Sequence, residues 1–175
     1  MFYFVRHGST DYAPINTKLY QGFGVNLLPL SDEGIAQIQE TAKDPRLADA
    51  NLILSSPYTR AVQTAAILAA TLGAETRVET DLHEWLANKT YVFESDEVAQ
   101  ERYGEFLALF GSYPAGEDRL WESCEVIRSR VLSVLEPYRR YDKVIVTCHS
   151  ILMEVMTGVS CPKNGEIIPW DFPST

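Results

Sequence analysis

The sequence predicts an α/β fold, a three-layer α/β/α sandwich in which helices cover both faces of a largely parallel central sheet. Two observations lead to this fold class. Segments with strand character alternate along the chain with segments of helical periodicity. The strand segments are apolar runs with little alternation, which is typical of strands buried on both faces. A chain of 175 residues can bury a substantial core, and we expect residues 1–175 to form a single domain.

Capping and turn residues bound the predicted elements in the first half of the chain. Ser31 precedes two acidic residues and is the expected N-cap of the first helix. Pro57 stands where the first residue of a helix is favoured, and Gly73 closes that helix. The predicted elements are a strand at 2–5, a helix at 30–43, a strand at 51–57, a helix at 58–73 and a strand at 76–80.

The second half of the chain continues this alternation. Apolar residues at helical spacing predict a long helix within residues 117–141. They are Leu120, Cys124, Ile127, Val131 and Leu135. The other predicted elements are a helix at 97–110, a strand at 143–148, a helix at 151–158 and an edge strand at 166–172.

Composition and charge exclude several classes of protein. Hydrophobic residues make up 46% and charged residues 22% of the chain, which is the balance of a globular protein. The net charge of -9 argues against a broad interface with nucleic acid or an anionic membrane, and no apolar run is long enough to span a bilayer. Arg6 and His7 interrupt the first apolar stretch too early for a signal peptide. The three cysteines lack disulfide or zinc-site spacing, so we expect a cytoplasmic protein.

Polar residues of complementary chemistry follow three of the predicted strands. Arg6 and His7 follow the first strand, and His149 follows the strand at 143–148. Arg60 lies one helical turn beyond the end of the second strand. Ligands of open α/β sheets bind outside the carboxyl ends of the strands. If these strands lie close together, two imidazoles and two guanidiniums converge on one site.

The chemistry of these groups favours phosphoryl transfer. Guanidinium groups bind phosphate oxygens in a bidentate manner and stay charged at every relevant pH. One histidine can attack phosphorus in its neutral form, and the other, if protonated, can stabilise charge on the transferring group. Glu84 follows the third strand and is a candidate acid for the leaving oxygen, because desolvation beside Trp85 would raise its pKa. Side chains supply the positive charge, so no metal is expected.

Each of these residues also has an ordinary structural interpretation. A single histidine at a strand end commonly forms a loop hydrogen bond, and a single arginine in a first helical turn is commonly solvated. Their joint occurrence favours a site, since independent structural causes would not place complementary groups at three strand ends. Cys148 beside His149 suggests a Cys-His nucleophile, but adjacent strand residues face opposite sides, so we predict a buried thiol. His83 has no such support and is interpreted as structural or solvent-facing.

Six segments resemble motifs of the histidine phosphatase superfamily, the group that includes cofactor-dependent phosphoglycerate mutases and many small phosphatases. VRHGST is similar to an Arg-His-Gly-x-Thr motif, and SSPYTRAVQTA is close to a Ser-x-Pro-x-x-Arg-Ala-x-Gln-Thr-Ala motif. PAGED looks like the Pro-x-Gly-Glu-Ser element before the long helix. The remaining segments are YQGFGVNLLPLSDEG, DLHEW and VIVTCHS. The resemblance spans nearly the whole chain and implies a phosphoglycerate mutase-like fold.

The resemblance implies a role for each matching residue. His7 would be the phosphorylated nucleophile, and Glu84 the proton donor to the leaving group. Arg6, Arg60 and His149 would form the phosphate pocket. The implied substrate-binding set is Arg6, Gly8, Thr10, Gln21, Gly22, Arg60, His149 and Ser150. Gly8 would let the backbone approach the phosphate. The implied partner is a small phosphorylated substrate, with no cofactor.

We therefore predict a metal-independent phosphomonoester hydrolase that acts through a phosphohistidine. Ala13 and Ser150 depart from the family's usual Asn and Gly, and the residues after Glu84 also differ. These departures leave the phosphate pocket unchanged and bear on the substrate, to which the loop from Asp11 to Leu28 and the region from Trp85 to Pro114 are expected to contribute. A phosphoglycerate mutase is the first alternative, although 175 residues leave little room for the extra segments that mutases usually carry. The second alternative is a catalytically weak phosphate-binding module.

Overall fold

The computed structural model describes residues 1–14, 22–92 and 94–173, and centres on one five-stranded sheet. The strands are β1 (Phe2–Arg6), β2 (Leu52–Ser55), β3 (Glu75–Val78), β4 (Val144–Cys148) and β5 (Ile167–Trp170). Their order is β3-β2-β4-β1-β5. The first four strands are parallel, and β5 pairs antiparallel with β1 at the edge. The predicted α/β class and the largely parallel sheet are confirmed, as is the edge strand near the C-terminus.

Five α-helices flank the sheet in the described part of the chain, together with short 3-10 helices. The α-helices are α1 (Asp32–Thr41), α2 (Thr59–Leu72), α3 (Asp96–Ala108), α4 (Cys124–Leu135) and α5 (Ser150–Thr157). The 3-10 helices are Gly22–Leu27, Pro45–Leu47, Thr80–Leu82 and Glu136–Tyr138. None of the helices in the described segments is long and apolar enough to cross a membrane.

Two apolar cores cover the two faces of the sheet because successive strand residues point to opposite sides. On β1, Phe2 and Phe4 belong to the core formed with α4 and α5, whereas Val5 belongs to the core under α1 and α2. Cys148 lies on the α4 and α5 side with no exposed surface, which confirms the prediction of a buried thiol. Its neighbour His149 begins the turn into α5.

The ends of two helices differ from the prediction. Helix α2 begins at Thr59, with Tyr58 in the extended N-cap position, so Pro57 precedes the helix and is not its first residue. Helix α4 begins only at Cys124, because the Ser123 side chain accepts a hydrogen bond from the backbone of Val126 and caps it there. The predicted caps Ser31 and Gly73 are confirmed, since Ser31 accepts from Gly34 and Gly73 adopts a left-handed conformation.

The strand order brings the three polar strand ends together. Strands β2, β4 and β1 are adjacent and parallel, so their carboxyl ends lie side by side at one edge of the sheet. Gly8 follows β1 and packs directly against the first turn of α1. A Cβ atom on Gly8 would lie 2.5 Å from the carbonyl oxygen of Gly34. The glycine is therefore required by backbone packing against α1.

Candidate active site

His7 presents an unprotonated nitrogen at the carboxyl edge of the sheet. Its Nδ1 lies 2.7 Å from the Gly8 carbonyl oxygen, which can only accept, so Nδ1 carries the proton. The Nε2 lone pair accepts a hydrogen bond of 3.1 Å from Arg60 Nε. Burial, together with the charges of Arg60 and Arg6, lowers the pKa of His7 to about 3. His7 is therefore neutral near pH 7, with its lone pair on Nε2.

His149 is oriented by a serine at the end of the neighbouring strand. The Ser56 hydroxyl lies 2.7 Å from His149 Nε2 and also accepts a 3.3 Å hydrogen bond from the Tyr58 backbone. Both Ser56 and His149 are fully buried, and His149 Nε2 lies where it can accept the hydroxyl proton. We therefore assign the proton of neutral His149 to Nδ1. The imidazole centroids of His7 and His149 are 5.1 Å apart.

The His149 imidazole acts as a neutral donor in this arrangement. Burial and the positive charge of Arg60 hold the pKa of His149 well below its ordinary value. Its Nδ1 and the Nε of Arg6 are the buried side-chain nitrogen or oxygen atoms that lack a hydrogen-bond partner within the described residues. A buried donor without an acceptor costs roughly 1–3 kcal/mol. The unpartnered Nε of Arg6, the unpartnered Nδ1 of His149 in the assigned tautomer and the Arg60 guanidinium therefore favour an anion with several acceptor oxygens.

Arg6 is held by a loop that the sequence did not connect with the site. Its Nη1 donates to the Pro162 carbonyl at 2.6 Å, which fixes one side of the guanidinium. In the same loop, Asn164 Nδ2 donates to the His7 carbonyl at 2.8 Å, and the Gly165 backbone donates to the Arg6 carbonyl at 2.9 Å. This loop immobilises the backbone of both functional residues from the opposite end of the chain.

Arg60 links His7 to the segment that precedes α1. In addition to His7, its guanidinium contacts the Val25 carbonyl at 3.2 Å and lies over the Tyr58 ring at 5.1 Å from the centroid. The Tyr58 ring also packs edge-on against His149, with 5.1 Å between centroids. Tyr58 thus forms part of the wall of the site, a role that the sequence analysis did not assign.

Glu84 joins the loop after β3 to the start of α5. Its Oε1 accepts hydrogen bonds from the backbone N–H groups of Trp85 at 2.9 Å and Leu152 at 3.2 Å, and its Oε2 accepts from Ile151 at 3.3 Å. Burial raises the pKa of Glu84, and these donors and the Arg60 charge only partly offset the rise. The carboxyl group is therefore suited to carry a proton at a higher pH than an exposed glutamate.

A buried ion pair shapes the loop that carries Glu84. Arg130 donates to both carboxylate oxygens of Glu122, at 2.9 and 3.0 Å, and to the His83 carbonyl at 2.9 Å. The side chains of Arg130 and Glu122 are 11% and 4% exposed. Glu122 also accepts from the Leu86 backbone at 3.0 Å. Removing one partner of such a pair leaves a buried charge uncompensated, so both residues are needed to hold this loop.

This ion pair corrects the assignment of the PAGED segment. Glu117 in that segment is exposed and pairs with Arg119, away from the long helix. The Glu-Ser pair that directly precedes α4 is Glu122-Ser123, in which the glutamate binds Arg130 and the serine caps the helix. Ser123 is a typical N-cap residue and could have marked the start of α4 in the sequence. The prediction instead placed Ser123 inside a longer helix within residues 117–141.

The remaining predicted site residues differ in how they relate to this cluster. Gly8 donates its backbone N–H to Thr64 Oγ1 at 3.3 Å, and Thr10 forms an isolated bridge with Leu30. The Ser150 hydroxyl contacts Glu154 Oε1 at 3.3 Å. Gly22 begins a 3-10 helix, and Gln21 lies outside the described residues. Their predicted roles in substrate binding remain predictions.

His83 is buried, with 3% exposure, which favours the structural interpretation over the solvent-facing one. Its Nδ1 lies 2.7 Å from the Glu84 carbonyl oxygen, and its Nε2 lies 3.4 Å from the Tyr91 hydroxyl. The His83 side chain therefore stabilises the backbone of the loop that carries Glu84.

The Ser56 hydroxyl is expected to control the tautomer of His149. Ser56→Ala should lower kcat by about tenfold, because it leaves buried Nε2 without its donor. NMR of ¹⁵N-histidine should show the proton of His149 redistributed between Nδ1 and Nε2. Ser55→Ala is the matched control, since Ser55 is equally buried but donates to the Ser56 carbonyl. An unchanged tautomer with unchanged kcat would contradict the assigned role.

Groups of complementary chemistry lie at the carboxyl edge of the sheet. His7 has an imidazole lone pair, Arg6, Arg60 and His149 have N–H donors, and Glu84 has a buried carboxyl group. Within residues 1–14, 22–92 and 94–173, no group of three or more His, Cys, Asp or Glu side chains is arranged to hold a metal ion. Arg6 and Arg60 carry positive charge at this site.

The structure is similar to solved structures of phosphatases and mutases. A mycobacterial glucosyl-3-phosphoglycerate phosphatase has a TM-score of 0.66 and 22% identity, over 95% of this chain and 87% of that one. A phosphoglycerate mutase from Thermus thermophilus has a TM-score of 0.66 and 23% identity, over 98% and 93% of the two chains. One from Bacillus anthracis has a TM-score of 0.68 and 18% identity, over 95% and 85%.

These similarities establish the fold and also bear on the argument from chain length. Because the Thermus mutase is matched over 93% of its own chain, length gives no ground for setting a mutase aside.

A search of curated proteins finds no match. The model of the histidine phosphatase superfamily (branch 1) matches residues 2–161, which include each of the five clustered residues Arg6, His7, Arg60, Glu84 and His149. This chain therefore belongs to branch 1 of the histidine phosphatase superfamily.

Proposed function

We propose that this protein is a metal-independent phosphomonoester hydrolase that works through a phosphohistidine on His7. The observation that carries the proposal is the neutral His7 Nε2, which accepts from Arg60 Nε and whose ring lies 5.1 Å from that of His149. The nearby Arg6 Nε and His149 Nδ1 are buried and have no hydrogen-bond partner among the described residues. The lone pair meets the need for a nucleophile, and the donors suit the oxygens of a phosphoryl group. Membership in the superfamily supports the same chemistry.

The first chemical step transfers the phosphoryl group from substrate oxygen to His7. The Nε2 lone pair forms the N–P bond as the O–P bond breaks, and the leaving alkoxide takes the proton of Glu84. Arg60 must first exchange its hydrogen bond with Nε2 for bonds to phosphate oxygens, since one lone pair cannot serve both. Arg6 and His149 stabilise the charge on the same oxygens.

The second step returns the enzyme to its starting state. Glu84, now ionised, accepts a proton from water as the water oxygen attacks phosphorus and the N–P bond breaks. Inorganic phosphate leaves, and His7 regains its Nε2 lone pair. In a mutase, the free hydroxyl of a bound monophosphoglycerate would take the place of this water and accept the phosphoryl group from His7.

One assay separates the proposed hydrolase from the alternatives. The protein is incubated with an aryl phosphate and a chelator, and in parallel with a monophosphoglycerate with and without a bisphosphorylated primer. The proposal predicts phosphate release that tolerates the chelator. Isomerisation that depends on primer and outpaces phosphate release would instead identify a mutase. Recovery of intact substrate from a tight complex would identify a binding module.

Glu84→Gln is expected to affect substrates with poor leaving groups most. The loss in kcat/KM, which reports phosphoryl transfer to His7 and not the later hydrolysis, should be about 10²–10⁴-fold for alkyl phosphates and smaller for aryl phosphates, whose leaving groups need little protonation. In the wild type, kcat/KM should fall as the pH rises through the raised pKa of Glu84, whereas His7 stays neutral down to about pH 3. The variant should lose that decline at higher pH. Equal losses on both substrate classes would contradict the acid role.

A further inference from the structure

A large groove with aromatic walls lies between α3, α4 and α5 and includes Ile151 in the first turn of α5. Its volume is about 610 Å³, within the range of sites that bind small organic molecules. We call it the aromatic groove and define it by Tyr103, Phe106, Leu107, Phe110, Cys124 and Met156. Tyr103, Phe106, Leu107 and Phe110 belong to the region from Trp85 to Pro114 that was expected to contribute to substrate binding, whereas Cys124 and Met156 lie outside it.

A second hollow adjoins the aromatic groove on the side of the proposed proton donor. It has a volume of about 280 Å³ and is lined by Trp85, Asp96, Ala99, Gln100, Tyr103 and Ile151, of which Tyr103 and Ile151 also line the groove. Trp85 is the residue after Glu84, and the Ile151 backbone N–H donates to Glu84 Oε2 at 3.3 Å. The leaving oxygen of a substrate must lie near Glu84 to receive its proton. The rest of the leaving group would then begin beside this hollow.

The charge distribution in the aromatic groove argues for an uncharged occupant. Its charged lining residues are Arg128 and Glu154, which have opposite signs. Arg128 donates to the Val155 carbonyl at 2.7 Å, and Glu154 accepts from Ser150 at 3.3 Å. Unlike the His7 site, the groove has no cluster of cations for a second phosphate or a carboxylate among its described lining residues. Its aromatic and aliphatic walls favour burial of apolar surface.

Phe110 marks the outer end of the groove. Its side chain is 89% exposed, and its backbone has a positive φ of 52°, which is unfavourable for a bulky residue. Leu107, one helical turn earlier, is 54% exposed. Two exposed large apolar side chains on the rim of one groove are characteristic of a binding surface.

We propose that the aromatic groove binds an apolar leaving group, so that the preferred substrates are phosphomonoesters of long-chain or aromatic alcohols without a second charge. This inference rests on the proposed phosphatase function and specifies its substrate class. The phosphoryl group occupies the His7 site, the ester oxygen lies at Glu84, and the apolar part of the alcohol extends past Trp85 and Ile151 into the groove.

A series of n-alkyl phosphates tests the proposal directly. Ethyl, butyl, hexyl and octyl phosphate have nearly the same leaving-group pKa, so differences in kcat/KM report binding of the chain. We expect kcat/KM to rise at least about tenfold from ethyl to hexyl phosphate, as each buried methylene adds favourable transfer free energy. A flat series, with ethyl phosphate measurably hydrolysed, would overturn the proposed substrate class and leave the phosphatase function standing.

Matched variants locate the effect. Leu107→Ala and Phe110→Ala should each reduce the hexyl-to-ethyl ratio of kcat/KM by about threefold or more. Leu120→Ala is the control, since Leu120 is similarly exposed, at 46%, but does not line the groove. Equal ratios for Leu107→Ala and Leu120→Ala would place the selectivity elsewhere and overturn the proposal.

Two further measurements keep the test independent of turnover. Calorimetry should show hexylphosphonate binding more tightly than ethylphosphonate, with the preference reduced in Leu107→Ala. Tighter binding of hexylphosphonate would support an apolar binding site in the groove whether or not phosphomonoesters are hydrolysed. Failure to hydrolyse any phosphomonoester would contradict only the proposed phosphatase function. Light scattering should show the same mass for wild type and both groove variants. A dimer that dissociates in the variants would assign the surface to a second copy of the chain and overturn the proposal.

Discussion

Replacing His7 with alanine is expected to lower kcat for an aryl phosphate by at least about 10⁴-fold, because the reaction loses the atom that forms the covalent intermediate. The other imidazole of the cluster cannot substitute for it. His149 Nε2 is occupied by the Ser56 hydroxyl, and its Nδ1 carries a proton in the assigned tautomer. The measurement is steady-state phosphate release in the presence of a chelator, with thermal unfolding to confirm that the variant folds.

Labelling makes this prediction specific to the nucleophile. Brief incubation of the wild type with a ³²P-labelled substrate, followed by denaturation in base, should trap an acid-labile label on His7. His83→Gln is a suitable control because His83 is the remaining histidine of the chain and lies in the Glu84 loop. That variant should retain the label and His7→Ala should lose it. A label on another residue, or turnover by His7→Ala near the wild-type rate, would exclude the proposed intermediate.

Replacing Arg60 with alanine should lower turnover and at the same time raise the chemical reactivity of the His7 imidazole. Turnover should fall by about 10³-fold or more, since an arginine that stabilises phosphoryl-transfer charge has an effect of this size. The reaction of His7 with diethyl pyrocarbonate should become faster, because Arg60 Nε no longer covers the Nε2 lone pair. Peptide mapping of the modified protein measures this rate for His7 separately from the other histidines.

The conservative variant separates the charge of Arg60 from its geometry. Arg60→Lys retains a cation but lacks the planar fork that binds phosphate through two N–H groups. Its turnover should lie between those of wild type and Arg60→Ala. Near-normal turnover in Arg60→Ala, or an unchanged rate of His7 modification, would show that the guanidinium does not control the nucleophile.

Much of the fold was predictable because local patterns agree with the tertiary structure. The apolar runs at β1, β2 and β4 are strands buried on both faces, and the Ser31 and Gly73 caps mark helix ends by hydrogen bonding and backbone conformation. The predicted start of α4 was wrong because the helical spacing of apolar residues begins before the helix itself. Leu120 matches the helical spacing of α4, yet Ser123 caps the helix three residues later.

The candidate site was predictable in its residues but not in its supporting contacts. Arg6, His7, Arg60, Glu84 and His149 each lie at or beyond the end of a strand, so a parallel sheet brings them together. The supporting residues carry no comparable pattern. Asn164 lies 157 positions from His7 in the chain, and its hydrogen bond depends on the path of a loop. Glu122 and Arg130 resemble ordinary charged residues until the Glu84 loop folds around them.

Residue types and their spacing were enough to predict the alternation of strands and helices, the candidate site residues at the strand ends and the family to which the chain belongs. These features depend on residue type and on spacing along the chain. Three features depend on the three-dimensional fold. Strand β4 lies between β2 and β1, Ser56 contacts His149, and a groove with apolar walls lies between α3, α4 and α5. Strand order, tautomers and cavities arise from contacts between distant segments, and such contacts leave no periodic trace in the sequence.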